Sequence, residues 1–168
     1  MYPERFDSST LTTEDNTLLA EFAARRALIG RYIHQLKMHL FTCPSCGFPS
    51  LHQPGTFELC AVCDWEDDGQ DDEDADDIVG GPNGKLSLTE YRVATGYSLR
   101  ALAHELKGEL LSDPLEVLKV IQQHEERMDV FQEEHSMNVE EDHPVWEAWK
   151  KEKSKLRVDL IKKGNYLS

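Results

Sequence analysis

Four cysteines stand within 21 residues of one another: Cys43 and Cys46, a spacer of 13 residues, then Cys60 and Cys63. Two residues between cysteines is the spacing at which a tight turn aims both sulfurs at one centre. Two such turns brought together complete a tetrahedral shell of four thiolates. The first pair reads Cys-Pro-Ser-Cys-Gly. Pro44 pre-sets a torsion of the turn, and Gly47 supplies the positive φ that follows it. A redox pair would need a single CxxC at a helix start after a strand, and no βαβ pattern surrounds these residues. The spacing therefore predicts one structural ion on Cys43, Cys46, Cys60 and Cys63, with zinc preferred to iron. A shell of four thiolates leaves no position for water, so the expected role of the metal is folding and not catalysis.

Directly behind the second pair, nine of the twelve residues from Glu66 to Asp77 are carboxylates. Asp64, Glu66, Asp68, Gly69 and Asp72 fall on loop positions of an EF-hand. That reading fails at its twelfth position, where Ala75 replaces the bidentate glutamate. Two readings remain: a solvated loop that repels itself, and a docking surface for a basic protein. The candidate contact groups are Glu66, Asp67, Asp68, Asp71, Asp72, Glu73, Asp74, Asp76 and Asp77. Trp65, an aromatic beside the second knuckle, is expected to pack over the metal site.

The charge of the whole chain is placed unevenly. Its 168 residues carry a formal charge of −14. Residues 58–142 hold 24 acidic and 6 basic groups, whereas residues 143–168 hold 3 and 7. Such an acidic belt would repel nucleic acid and anionic membranes. The most apolar run, near Ala20 to Phe41, is broken by Arg25, Arg26, Arg31 and Lys37, so no membrane span is expected. The N-terminus shows no secretory signal, which places the chain in the cytoplasm and makes disulfides unexpected.

The elements that must position the cysteines are helices and one hairpin. Leu18, Leu19, Phe22, Ile29, Tyr32, Ile33, Leu36 and Leu40 recur at steps of three and four, which predicts a helix over 13–41 capped by Thr12 or Thr13. Arg25, Arg26 and Lys37 fall on its other face, facing solvent or the acidic belt. The spacer predicts a hairpin, Ser50-Leu51-His52 against Phe57-Glu58-Leu59, around a Gln53-Pro54-Gly55-Thr56 turn. Ser87 and Glu90 form a capping box, so a helix should run from Leu88 to about Leu111, with a break near Gly96. Asp113 and Pro114 start another, with Leu115, Leu118, Ile121, Met128 and Phe131 inward. A last helix begins near Pro144, carries Trp146, Trp149, Leu156 and Leu160 as its apolar stripe, and stops at Lys162-Lys163-Gly164. The fold class expected is mainly α with a small zinc-ribbon-like β-hairpin insert, α+β. The expected segments are an N-terminal helical segment 1–41, a zinc-binding module with the acidic loop 42–92, and a helical region 93–168.

Residues 43–92 resemble the bacterial cysteine-rich CPCC family. The resemblance is carried by Cys43-Pro44-Ser45-Cys46-Gly47, by Cys60-Ala61-Val62-Cys63-Asp64-Trp65-Glu66-Asp67-Asp68-Gly69-Gln70-Asp71, by Gly80-Gly81-Pro82-Asn83-Gly84, and by Ser87-Leu88-Thr89-Glu90-Tyr91-Arg92. Ser45 stands where the family has a middle cysteine, and Tyr91 where alanine is usual. The first departure suggests that the middle cysteine is not an obligatory ligand. The resemblance implies a small zinc-ribbon-like module of bacterial origin in an accessory protein. It brings no catalytic mechanism, and it implies an association with toxin–immunity loci.

No phosphate loop, nucleophile elbow or His–carboxylate motif is present, and the seven histidines are scattered. The expected function is therefore a non-catalytic, zinc-binding acidic protein-interaction module. Its most concrete form is an immunity-type inhibitor that binds a basic partner, a cognate toxin, in the cytoplasm. The alternative is a nucleic-acid-associated zinc-ribbon factor, for which Lys150, Lys151, Lys153 and Lys155 would supply the contacts. The acidic belt ranks that alternative second.

Overall fold

The computed structural model describes residues 4–163. The chain divides into two compact units, Met1–Leu102 and Ala103–Ser168. The segments 1–41 and 42–92, which differ in composition, lie in one unit because helix and cysteine module share contacts.

The first unit opens with a short strand β1 (Glu4–Arg5), followed by helix α1 (Thr13–Gln35). Thr12 caps α1 through a reciprocal pair of bonds with Asp15, which satisfies two of the orphan N–H groups. The helix is shorter than its apolar pattern suggested. Leu36 is the C-cap, and Lys37 follows in the left-handed region at φ 53°. Leu36 is half exposed, whereas Leu18, Phe22, Ile29 and Ile33 form the buried stripe. The cysteine module then leads through a 3-10 turn (Asp72–Asp74) to β2 (Asp77–Ile78), which pairs antiparallel with β1. Helix α2 (Leu88–Glu105) begins at the expected capping box, with Glu90 N–H donating to Ser87 Oγ at 3.0 Å. It runs unbroken through Gly96. A Cβ there would lie 3.2 Å from the Leu18 side chain, so the glycine is a packing notch and not a break.

The second unit contains α3 (Pro114–Glu134) and α4 (Pro144–Asp159), joined to a two-stranded antiparallel sheet of β3 (Gly108–Leu110) and β4 (Ile161–Lys163). Asp113 and His143 cap the two helices. Val117, Leu118, Ile121, Met128, Val145, Leu156 and Leu160 are buried. Leu115, placed inward by the sequence pattern, is 54% exposed, and Val117 takes the core position instead. Both helix ends expected near Leu111 and Lys163 are strands. Leu110 and Ile161 face each other across the sheet, a register that no helical period foretells. Gly164, the remaining part of the expected stop, lies outside the described residues.

The chain is therefore mainly helical with small antiparallel β elements. No helix of the described residues is long and apolar enough to cross a membrane.

Candidate metal centre

The two CxxC turns are built alike. Cys43 N–H donates to the Phe48 carbonyl at 2.8 Å, and Cys60 N–H to that of Trp65 at 2.8 Å. Gly47 N–H returns to the Cys43 carbonyl and Asp64 N–H to the Cys60 carbonyl, each at 2.9 Å. Each turn ends on a residue of positive φ, Gly47 at 80° and Asp64 at 64°. Asparagine-like side chains tolerate that region better than other non-glycine residues, which fits aspartate at the second turn. In both turns the backbone N–H two residues after the first cysteine donates to its sulfur: Ser45 to Cys43 Sγ at 3.3 Å, and Val62 to Cys60 Sγ at 3.4 Å.

These turns correct the expected hairpin. Antiparallel bridges join Phe41 to Leu51 and Leu59 to Glu66, so each knuckle closes its own ribbon. Residues 50–52 and 57–59 form no ladder. Glu58 instead reaches back across the turn and accepts from the backbone N–H of His52 and Gln53. The tight CxxC reversal supplies its own returning strand, which leaves the Pro-Gly segment free to be a connector.

All four cysteines are buried, none forms a disulfide, and their Sγ atoms lie within 4.8 Å of one another. Cys43 Sγ is 3.7 Å from Cys63 Sγ, and Cys46 Sγ is 3.7 Å from Cys60 Sγ. A disulfide would need about 2.05 Å. A tetrahedron with metal–sulfur bonds of about 2.3 Å has an edge of about 3.8 Å. The donor set and its spacing thus fit a four-coordinate metal ion. Among the described residues this is the only cluster of three or more metal-ligating side chains.

Burial pushes the Cys43 and Cys46 thiols well above their ordinary value. For Cys60 burial acts the same way but is outweighed by hydrogen bonds from the other three cysteines and from Ser50 Oγ at 2.9 Å, so its thiol lies below the ordinary range. Four cysteine sulfurs packed in a dry pocket have no water to solvate their charged forms, a cost that a bound dication would relieve.

Both helices of the first unit grip the knuckles. Arg25 on α1 donates through Nε and Nη2 to the Cys46 carbonyl at 2.9 and 2.7 Å, with its guanidinium 4.8 Å over the Phe48 ring. Arg92 on α2 donates through Nε to the Pro44 carbonyl at 2.7 Å, and its guanidinium lies 4.5 Å over Phe22. Four thiolates around a dication carry a net charge of −2, and these arginines supply opposite charge at its rim. Ser45 Oγ, in the position of the family's middle cysteine, lies 3.3 Å from Thr95 Oγ1 of α2. Trp65 is fully buried and meets Tyr91 edge-on at 5.0 Å. Tyr91 OH donates to the Cys63 carbonyl, and burial with the nearby Cys63 raises its pKa to about 12.

The acidic segment is folded, and the self-repelling extended loop is not what forms. Arg26 Nη1 and Nη2 clasp Asp71 at 2.6 and 2.7 Å, and the same side chain donates to Thr42 Oγ1. That hydrogen bond holds the Asp71 carboxyl below its ordinary range. Arg92 Nη2 donates to Asp72 at 2.8 Å, and Arg5 pairs with Asp77 at 3.0 Å. Asp67 is buried and accepts from Gly55 N–H at 2.7 Å. Asp74 accepts from Asp71 N–H, Asp68 from Gln70 N–H, and Asp76 from Thr89 Oγ1. The backbone of Glu66 is held at both ends by Asn83. Glu73 is exposed at the tip of the 3-10 turn. Most of the nine carboxylates thus serve the loop itself.

Sequence reasoning missed the arginines. The helical period places Arg25 and Arg26 on a face toward solvent or the acidic belt. Arg26 does meet that belt, and Arg25 meets the knuckle backbone, a target that leaves no trace in residue type. Elsewhere, Trp149 packs against Phe131 at 5.6 Å and Trp146 Nε1 donates to the Glu140 carbonyl. Lys150 and Lys155 lie against Glu147 and Glu152 of their own helix.

Residues 41–97 match the family described as Cysteine-rich CPCC. No curated protein and no solved structure matches the chain.

Proposed function

With residues 41–97 matched to the cysteine-rich CPCC family, we propose that the chain is a zinc-stabilised, non-catalytic module that binds a basic protein. The observation that carries the metal half is the convergence of four buried sulfurs at the edge length of a tetrahedral site. Zinc is favoured over iron because a closed S4 shell suits a redox-inert ion that only has to hold two turns together. Cys43, Cys46, Cys60 and Cys63 would hold it. Their closed shell would leave no coordination site for a substrate, and Arg25 and Arg92 would balance its charge.

The partner half is supported by charge. The segment from Glu58 to Asp77 contains no lysine or arginine, and long-range attraction to a basic surface would raise the association rate. Immunity to a cognate toxin would be one concrete form of such binding. Elemental analysis of the purified chain tests the metal reading: about one zinc per chain is expected, falling to none in Cys43→Ser or Cys60→Ser. A purified chain that folds equally well without metal would remove the proposal.

A further inference from the structure

In the ribbon of the second knuckle one residue is out of place. Phe57 N–H donates to the Asp67 carbonyl at 2.8 Å, while Asp67 N–H donates to the Glu58 carbonyl at 3.0 Å. Residues 57 and 58 therefore both oppose residue 67, which is a β-bulge. Its first residue, Phe57, sits in the left-handed region at φ 62°. That position in such a bulge belongs to glycine. The other non-glycine residues of positive φ among the described residues are Lys37, Asp64 and Lys107, all hydrophilic. Phe57 is the one aromatic, and 59% of it is exposed.

The bulge thus holds a bulky ring in a disfavoured backbone conformation and turns it toward solvent, contributing little to the core. Two residues on, Leu59 is 43% exposed and stands opposite Glu66. Both apolar side chains project from a ribbon that carries Asp64 and Glu66 and has no lysine or arginine between Phe57 and Glu66, while Glu58 is held by the backbone and ring of His52. Asp64 is exposed at the tip of that ribbon. Arg5, Arg26 and Arg92, the cations that reach the neighbouring acidic segment, are committed to Asp77, Asp71 and Asp72.

The geometry points to the Phe57–Leu59 edge as a docking surface for a basic peptide segment in which apolar side chains are interleaved with lysine or arginine. An aromatic anchor with a polar rim is the usual anatomy of a binding hot spot. The acidic surround selects the sign of the partner's charge. This inference deepens the interaction reading above and rests on it for that sign alone. The metal would fix the base of the ribbon, through Cys60 and Cys63, so that the ring is presented from a rigid support.

The test uses a phage-displayed random peptide library panned against the zinc-loaded chain at low salt. Recovered peptides are then synthesised and titrated. Peptides that interleave lysine or arginine with apolar residues are expected. Their affinity should fall at least tenfold, about 1.4 kcal/mol, for Phe57→Gly and for Leu59→Ser. Phe57→Gly removes the ring while suiting the bulge, so a folded, zinc-loaded variant with weakened binding supports the docking role. Acidic or uncharged binders overturn the inference, as do basic peptides that bind both variants like the parent. Sedimentation that shows a dimer of the parent, lost in Leu59→Ser, would make a second copy the occupant and overturn it too. Zinc content measured on each variant keeps this outcome separate from a failure of the metal reading.

Discussion

Gly47→Ala is the substitution through which the packing of α1 on the first knuckle can be measured. At φ 80° an L-residue pays roughly 1–2 kcal/mol for the left-handed region. Space adds to this cost. A Cβ on Gly47 would lie 3.3 Å from Arg26 Cβ, from Arg26 N and from the Phe22 carbonyl oxygen. Two of those three atoms are backbone of a capped helix and cannot rotate away, so the knuckle itself must shift. Overpacking at a tight contact costs about 1–3 kcal/mol, which brings the expected total to about 2–5 kcal/mol. Gly69→Ala is the internal control, because Gly69 has φ 95° but nothing within 4 Å of its would-be Cβ. It should lose only the backbone part. The assay is urea unfolding of the zinc-loaded chain, followed by amide exchange across residues 43–66. Competition with a chromophoric chelator runs alongside. Since Cys46, a candidate ligand, is the neighbouring residue, affinity for added zinc should fall about tenfold for each 1.4 kcal/mol of knuckle displacement. If Gly47→Ala and Gly69→Ala lose stability equally, within about 0.5 kcal/mol, the close approach of α1 is not a stabilising contact and the reasoning fails.

Chelation of the metal, or Cys60→Ser, should abolish protection of the amides in residues 43–66; persistence of that protection would show that the thiols pack without an ion. Asp71→Asn removes the charge and one of the two acceptor oxygens that Arg26 clasps on a half-exposed surface, and should cost about 1–2 kcal/mol by urea unfolding. Glu73→Gln, at the exposed tip of the same turn, should change stability by less than about 0.5 kcal/mol. His124 is buried in the second unit, and burial, reinforced by Arg127 and opposed by Asp159 and Glu152, holds its imidazole below the ordinary 6.5. Its neutral form is the one that folds, so stability of α3 is full above that value and declines as pH falls toward the depressed pKa. Unfolding measured at several pH values should show this decline, and His124→Gln should flatten it. At the bulge, Phe57→Gly should be more stable than Phe57→Ala by about 1 kcal/mol, the reverse of the order at ordinary strand positions. The usual order on thermal unfolding would show that residue 57 is not held at positive φ.

Local chemistry was legible wherever a residue and its neighbours in sequence settle the outcome. Thr12 with Asp15, Ser87 with Glu90, and Asp113 with Pro114 started their helices as caps must, because a cap bonds within three residues of itself. Helix ends were less legible. The apolar period carried α1 past Gln35 and α4 past Asp159, although Lys37 turns left-handed and Ile161 joins a strand. Leu110 and Ile161 are apolar in either state, so only a partner 51 positions away decides between helix and sheet. The acidic run was the hardest to read. A stretch of carboxylates looks the same whether water or arginine surrounds it, and Arg26 and Arg92 come from opposite sides of it in sequence.

The amino-acid sequence by itself determined the four-cysteine cluster, because two CxxC turns bring their own geometry and four thiols leave few alternatives. It also determined the helix starts at Ser87 and Asp113 and where the negative charge is concentrated. Tertiary structure decided what that charge does. Three arginines distant in sequence neutralise Asp71, Asp72 and Asp77, and Asp67 turns inward to a glycine N–H, so the conspicuous loop became part of the framework. It also decided that a phenylalanine would occupy a glycine position in a bulge and face solvent. Charge and spacing are properties of a chain, whereas pairing and exposure exist only once distant segments meet.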